Sequence, residues 1–208
     1  MIESGSGDRN VLGEQIMKVW KPVFLLLLVC VTAYPQTKDL GLGAFSNEQG
    51  PILLAVDSSV VDRDWKSPYL MFVLYMAAAK EADDFIIGRN NVVMIYQGQE
   101  YRMPSIKELR QGYKAEIRDI DLYRHLGKEG IGSSWIRFYR FPRRYDFFPP
   151  LTQIAPLPAE EGYVDGFIGF RTKAYFKNPG LKKGDTLTIK VSDKNKPEIT
   201  GECNVVVQ

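Results

Sequence analysis

FIGFRTKAYFK, residues 167–177, alternates along its whole length. Ile168, Phe170, Thr172, Ala174 and Phe176 fall on one side, and Arg171, Lys173 and Lys177 on the other. That period of two predicts a half-buried β-strand with a basic outer face. Asn178-Pro179-Gly180 is a turn signal, and Lys183-Gly184-Asp185 precedes a second alternating run, LTIKV, at 187–191. Residues Asp193 to Glu198 close a hairpin into ITGECNVVV at 199–207, where Cys203 shares its parity with Ile199, Val205 and Val207. Cys203 is therefore expected on a buried strand face, as a small inert hydrophobe.

Upstream, ILLAVDSSVV (52–61) is β-rich and ends at Asp62-Arg63-Asp64. YLMFVLYMAAA (69–79) places bulky residues on both faces, as a strand buried on both sides does. FIIG (85–88) and the run from Val92 to Met103 flank an Asn90-Asn91 turn. The period then changes. Ser105-Ile106-Lys107-Glu108 is a capping box, and Ile106, Leu109, Tyr113, Ile117 and Ile120 recur at helical spacing. Strand signals resume with WIRFYRF at 135–141. Counting 52–61, 69–79, 85–88, 92–103, 135–141, 167–177, 186–192 and 199–207 gives about eight strands. The expected fold class is all-β, an antiparallel β-sandwich with one helical insertion near 105–126.

The run FRTKAYFKNPGLKKGDTLTIKVSDKNKPEITGECNVVV, Phe170 to Val207, resembles the last three strands of bacterial exported immunoglobulin-like domains. Those domains often end in a strand, a K-G-D turn and a closing hairpin. The resemblance implies adhesion, scaffolding or an accessory role, and it carries no active site to transfer.

Near the N-terminus, Lys18 and Lys21 precede VFLLLLVCVTA, residues 23–33. Eleven such residues are too few to span a bilayer, which takes about 20, and they match the hydrophobic region of a secretory signal. Val31-Thr32-Ala33 predicts cleavage after Ala33, and hence export to the periplasm or the medium. Cys30 offers an alternative, a lipid anchor, although Val29 stands where such processing wants a small residue. The polar residues 1–16 do not belong before a signal peptide, which points to translation from Met17. The expected organisation is an upstream extension (1–16), a signal peptide (17–33), a flexible tether (34–50) and a single sandwich domain (51–208).

The chain has 208 residues and a net charge of +2, unevenly distributed. Residues 34–100 carry 5 basic and 9 acidic groups, and residues 101–208 carry 19 and 13. With one histidine, His125, and one cysteine past the leader, histidine clusters and the common zinc sets are excluded. No G-x-S-x-G, G-x-G-x-x-G or P-loop run occurs, so no cofactor and no metal are expected. Acid pairs do occur, at Asp62 and Asp64, Asp83-Asp84 and Glu160-Glu161, and they keep a secreted glycan hydrolase as an alternative.

WIRFYRFPRRYDFFPP, Trp135 to Pro150, holds seven aromatics and four arginines against the single acid Asp146. Guanidinium groups pair with sulfate, phosphate or carboxylate while rings stack on sugars. Trp135, Arg137, Tyr139, Arg140, Arg143, Arg144 and Tyr145 are accordingly the candidate binding residues, for an anionic polysaccharide or an envelope protein. Export argues against nucleic acid. The competing expectation makes 135–141 a core strand with its arginines at the rim and Phe147-Phe148 a packed plug. The function expected from sequence is non-catalytic: binding, scaffolding or envelope assembly.

Overall fold

The structure is a computed structural model that describes residues 37–81, 83–113, 118–119, 141, 145–148, 158–166 and 168–208. The described residues form eleven strands and two short helices. In chain order they are β1 (Lys38–Gly41), β2 (Ala44–Asn47), β3 (Ile52–Asp57), α1 (Ser59–Arg63), β4 (Tyr69–Ala78) and β5 (Asp84–Gly88). A 3-10 turn (Arg89–Asn91) leads to β6 (Val92–Tyr96), β7 (Gln99–Arg102), α2 (Ile106–Gly112), β8 (Glu161–Asp165), β9 (Phe170–Lys177), β10 (Thr186–Ser192) and β11 (Thr200–Val206).

Every pairing is antiparallel. One sheet runs β1-β2-β3-β4-β9, a second β11-β10-β6-β7, and a two-stranded ribbon joins β5 to β8. The fold is the expected all-β, sandwich-like class. In β10, Leu187, Ile189 and Val191 are buried, as are Cys203 and Val205 in β11, so the alternation set out above holds residue by residue. These side chains meet the face of the first sheet formed by Leu70, Phe72, Leu74 and Met76 of β4 with their partners on β9, Phe176, Ala174, Thr172 and Phe170. The sheets come closest where β11 passes β2 and β3. There the Asn47 side-chain amide donates to the Glu202 carbonyl at 2.6 Å, and Gly201 lies against Ile52.

β3 and β4 are buried on both faces because the other side of their sheet is covered as well. Phe141 packs edge-on against Tyr75, and Phe148 and Tyr113 pack against Tyr175. The outer face of β9 is therefore not the open basic face expected: Tyr175 is fully buried, and Lys173 pairs with Asp146. The Asp146 carboxylate also accepts from the Lys173 backbone N–H, and Phe147 N–H donates to Thr172 Oγ1, so this loop covers the edge of the sheet.

Several expectations need correction. The segment taken as a tether, 34–50, carries β1 and β2, whose four residues Ala44–Asn47 are all buried between β1 and β3. The run 52–61 stops being a strand at Asp57, where the carboxylate accepts from the Ser59 N–H at 3.0 Å and turns the chain into α1. The run 92–103 is two strands, joined at Gln97-Gly98 with φ of 51° and 78°, the two positive values of a type I′ turn. β8 was not expected at all. The capping box is present in both directions, Ser105 Oγ accepting from Glu108 N–H and Glu108 Oε2 from Ser105 N–H. The helix it starts ends at Gly112, with Tyr113 in extended backbone. Ile117 and Ile120, residues 135–140 of the expected strand 135–141, the leader with Cys30, and His125 lie outside the described residues, and Phe141 is described but not in a strand.

Candidate binding cleft

The β5–β8 ribbon alternates strictly. Phe85, Ile87 and Val164 turn into the core, while Asp84, Ile86, Tyr163 and Asp165 share the outer face. Asp84 sits opposite Asp165, and Ile86 opposite Tyr163. Gly162 occurs where it does because any Cβ there would meet the Phe170 ring face-on. Gly166, with φ of 52°, turns the chain after β8, and its backbone packs on Glu81 O. Asp165 and Ile168 then exchange N–H···O=C bonds of 3.0 and 2.8 Å, which brings Ile168 back beside the ribbon.

These residues and Tyr145 enclose a cleft of about 400 Å³. Its lining is Asp84, Phe85, Ile86, Tyr145, Tyr163, Val164, Asp165 and Ile168. The Tyr145 ring lies 5.8 Å from that of Tyr163 and 5.8 Å from that of Phe170, so the core fixes it from behind. Tyr163 and Ile168 are 46% and 40% exposed, unusual for large apolar side chains so near a core. Asp84 and Asp165 are exposed too, and no basic residue lines the cleft among the described residues. Lys194 is held by Glu161 at the ribbon's other end.

Of the seven candidate residues from the sequence, Tyr145 alone falls within the description, on the cleft wall. Trp135, Arg137, Tyr139, Arg140, Arg143 and Arg144 lie outside the described residues. The end of the aromatic segment is core: Phe147 and Phe148 are fully buried, as the packed-plug expectation has it. The sequence points to Asp84 only as half of an acid pair with Asp83, and gives no signal for Tyr163 or Asp165. It sets Ile168 with Phe170 on one side of a strand over 167–177; β9 begins at Phe170, and Ile168 is exposed instead. Cross-strand pairing, which alternation within one strand cannot reveal, brings them together.

The Asp62 and Asp64 pair is bound into the fold. Asp62 accepts from Ser58 Oγ and from Gln208 N–H, and Asp64 pairs with Arg118. Burial raises the Asp57 carboxyl above its ordinary value against the lowering effect of its two bonds from Ser59. A second buried cluster joins Tyr113 Oη to Ser67 Oγ at 2.8 Å and to Asp119 Oδ2 at 2.7 Å. Burial there pushes the Tyr113 phenol up to about 12 and raises the Asp119 carboxyl as well. Cys203 is buried, and its thiol is pushed up to about 12 by desolvation. No group of three or more histidine, cysteine or acidic side chains placed to hold a metal occurs among the described residues. Comparison with protein-family models, with curated proteins and with solved structures finds no match to this chain.

Proposed function

We propose that this protein is an exported, non-catalytic binding module of the immunoglobulin-like kind, which holds a protein partner of the cell envelope at the cleft of the β5–β8 ribbon. Export rests on the leader at residues 17–33. The observation that carries the binding role is the exposure of Tyr163 and Ile168 around a cleft whose inner wall is set in the core. Rigid aromatic surface at the mouth of a concave site is what recognition uses.

Two occupants were expected from the sequence, an anionic glycan or a protein. Asp84 and Asp165 favour the protein, because two carboxylates on the lining repel a sulfated or uronic chain. The arginines that suit such a chain, Arg143 and Arg144, directly precede Tyr145 in sequence, and they keep the acidic polysaccharide as the second reading. A hydrolase is the weaker alternative. Its acid must hold a proton in an apolar enclosure, and both cleft carboxylates stand in solvent.

The test is to purify the exported protein, measure its intact mass, and screen it for polysaccharide hydrolysis and for retention on a glycan array. A chain beginning at Tyr34, with no hydrolysis and no retention of acidic glycans, is the expected result. Mass retaining Cys30 with acyl chains replaces the free module by a lipid-anchored one. Sugar release that disappears in the Asp84→Asn or Asp165→Asn variant overturns the binding role.

A further inference from the structure

Among the described residues, the outer edge of β8 carries main-chain hydrogen-bonding groups with no partner. Ile86 N–H donates to Asp193 Oδ2 at 2.8 Å, and Ile86 C=O accepts from Lys194 N–H at 2.7 Å, so the backbone of Ile86 points away from β8. In an antiparallel ladder both members of such a pair point outward. Its mate Tyr163 therefore turns its N–H and C=O to the far edge of β8, and Glu161, two residues on, does the same. Among the described strands β8 pairs with β5 alone, and Asp165 is already closed onto Ile168.

Nearby edges are treated differently. The far edge of β5 is closed by Asp193 and Lys194, and that of β9 by Asp146 and Phe147. On β11, Asn204 N–H donates to Thr37 Oγ1 at 2.9 Å. Among the described residues nothing closes the β8 edge beside the cleft, and an exposed tyrosine, Tyr163, stands on it.

We infer that the edge of β8 at Glu161–Tyr163 receives an extended segment of the partner as an added strand, and that a lysine or arginine of that segment seats its cationic head between Asp84 and Asp165 beside the Tyr145 and Tyr163 rings. This rests on the binding-module reading and adds the mode and the chemistry. Main-chain bonds to an open edge supply affinity, and a side-chain pocket at alternate positions supplies selectivity. The charge at that pocket has one sign. Like charges directly opposite each other on neighbouring strands weaken a ladder, and Asp84 and Asp165 are such a pair with no cation paired to them among the described residues. A cation from outside relieves that repulsion, and tyrosine faces add a cation–π attraction. The apolar stem of a lysine or arginine matches the exposed Ile168 surface.

The experiment uses the exported full chain and three fluorescein-labelled peptides read by anisotropy. The first alternates threonine and valine around a central lysine, the second replaces that lysine by glutamate, and the third keeps the lysine but carries N-methyl groups on the backbone amides of one edge. Saturable binding of the first is expected, with at least tenfold weaker binding of the other two. The doubly substituted D84N/D165N chain, whose changes are at exposed positions, is expected to lose at least fivefold in affinity for the lysine peptide at a melting temperature no lower than that of the wild type. Equal binding of the glutamate peptide overturns the cationic pocket, and equal binding of the N-methylated peptide overturns strand addition. No binding of the lysine peptide at millimolar concentration overturns both. A glycan retained at the cleft in the absence of peptide binding sinks this inference alone, whereas glycan hydrolysis sinks the module reading beneath it.

Discussion

Arg89 holds its guanidinium carbon 4.4 Å from the centroid of the Phe148 ring. The same group donates to Phe147 O at 2.7 Å and to Pro104 O at 2.8 Å, while the Arg89 N–H donates to Glu160 O at 3.0 Å. Arg89, following β5, thus ties the start of α2 and the loop over the β9 edge through its side chain, and the entry to β8 through its backbone N–H. Burial lowers the Arg89 pKa and the Glu160 charge opposes that shift, so the cation stays charged in a half-buried place.

Replacing Arg89 by methionine keeps the stem over Phe148 and removes both donors. Hydrogen bonds to a charged group are each worth about 1.5–3 kcal/mol, so a loss of about 3–6 kcal/mol in unfolding free energy is expected by urea titration. Arg89→Lys is expected to recover only part, since an ammonium cannot present two donors in a fixed fork. A lysine variant as stable as the wild type contradicts the fork.

Asp57 and Asp119 predict an unusual pH dependence. Burial is the largest cause at each, and it raises both carboxyls above the ordinary 3.8. The folded state then takes up protons at a higher pH than the unfolded one. Stability is fully present below the unfolded value and is lost as pH rises through the folded value. The melting temperature is therefore expected to fall as pH rises above about 4. Glu108, Glu161 and Asp185 are shifted down and slope the other way, but they are solvent-screened. Asp57→Asn keeps the Oδ1 acceptor for Ser59 and has no charge to bury. It is expected to flatten the curve and raise the neutral melting temperature by a few degrees, read by calorimetry across the range.

Cys203 makes the opposite end of the pH scale informative. Its thiol ionises at about 12 in the fold against an ordinary 9.0. Stability tied to that proton is intact below 9.0 and declines as pH rises toward about 12, by up to about 4 kcal/mol. In the native protein at pH 8 a thiol reagent is expected to leave Cys203 unmodified for as long as the chain stays folded, with modification at once in 6 M guanidinium. Rapid native labelling, followed by mass spectrometry, contradicts the buried face.

How much of this was legible depends on whether a signal is local. The alternation of Leu187, Ile189 and Val191 and the Ser105–Glu108 box are set by neighbours in sequence, and the structure keeps both. β2 is four residues long and includes a serine and an asparagine, so its strand character comes from the flanking β1 and β3 rather than from its own composition. α1 contains Val60-Val61, which favours a strand, and forms a helix because Asp57 captures the Ser59 N–H. The cleft was the least legible part. Asp84 and Asp165 become neighbours only through the register of a ribbon whose second strand, EGYVD, is too short and too polar to announce itself.

Gly201 sets the spacing of the two sheets. A Cβ there would stand 2.5 Å from the Ile52 carbonyl oxygen and 3.1 Å from Ile52 Cβ, and the first of these is backbone in a strand paired on both sides. The Ile52 side chain is fully buried and cannot swing aside, so the strain has to be taken up by moving β11 away from β3. Overpacking of this kind costs about 1–3 kcal/mol, so Gly201→Ala is expected to lower the urea midpoint with an unchanged slope. The displacement also stretches the Asn47–Glu202 bond, which spans the same gap. Asn47→Ala is therefore expected to cost less in the Gly201→Ala background than in the wild type, a coupling that a double-mutant cycle reads directly. Additive losses at the two sites place the strain elsewhere and contradict Gly201 as the spacer.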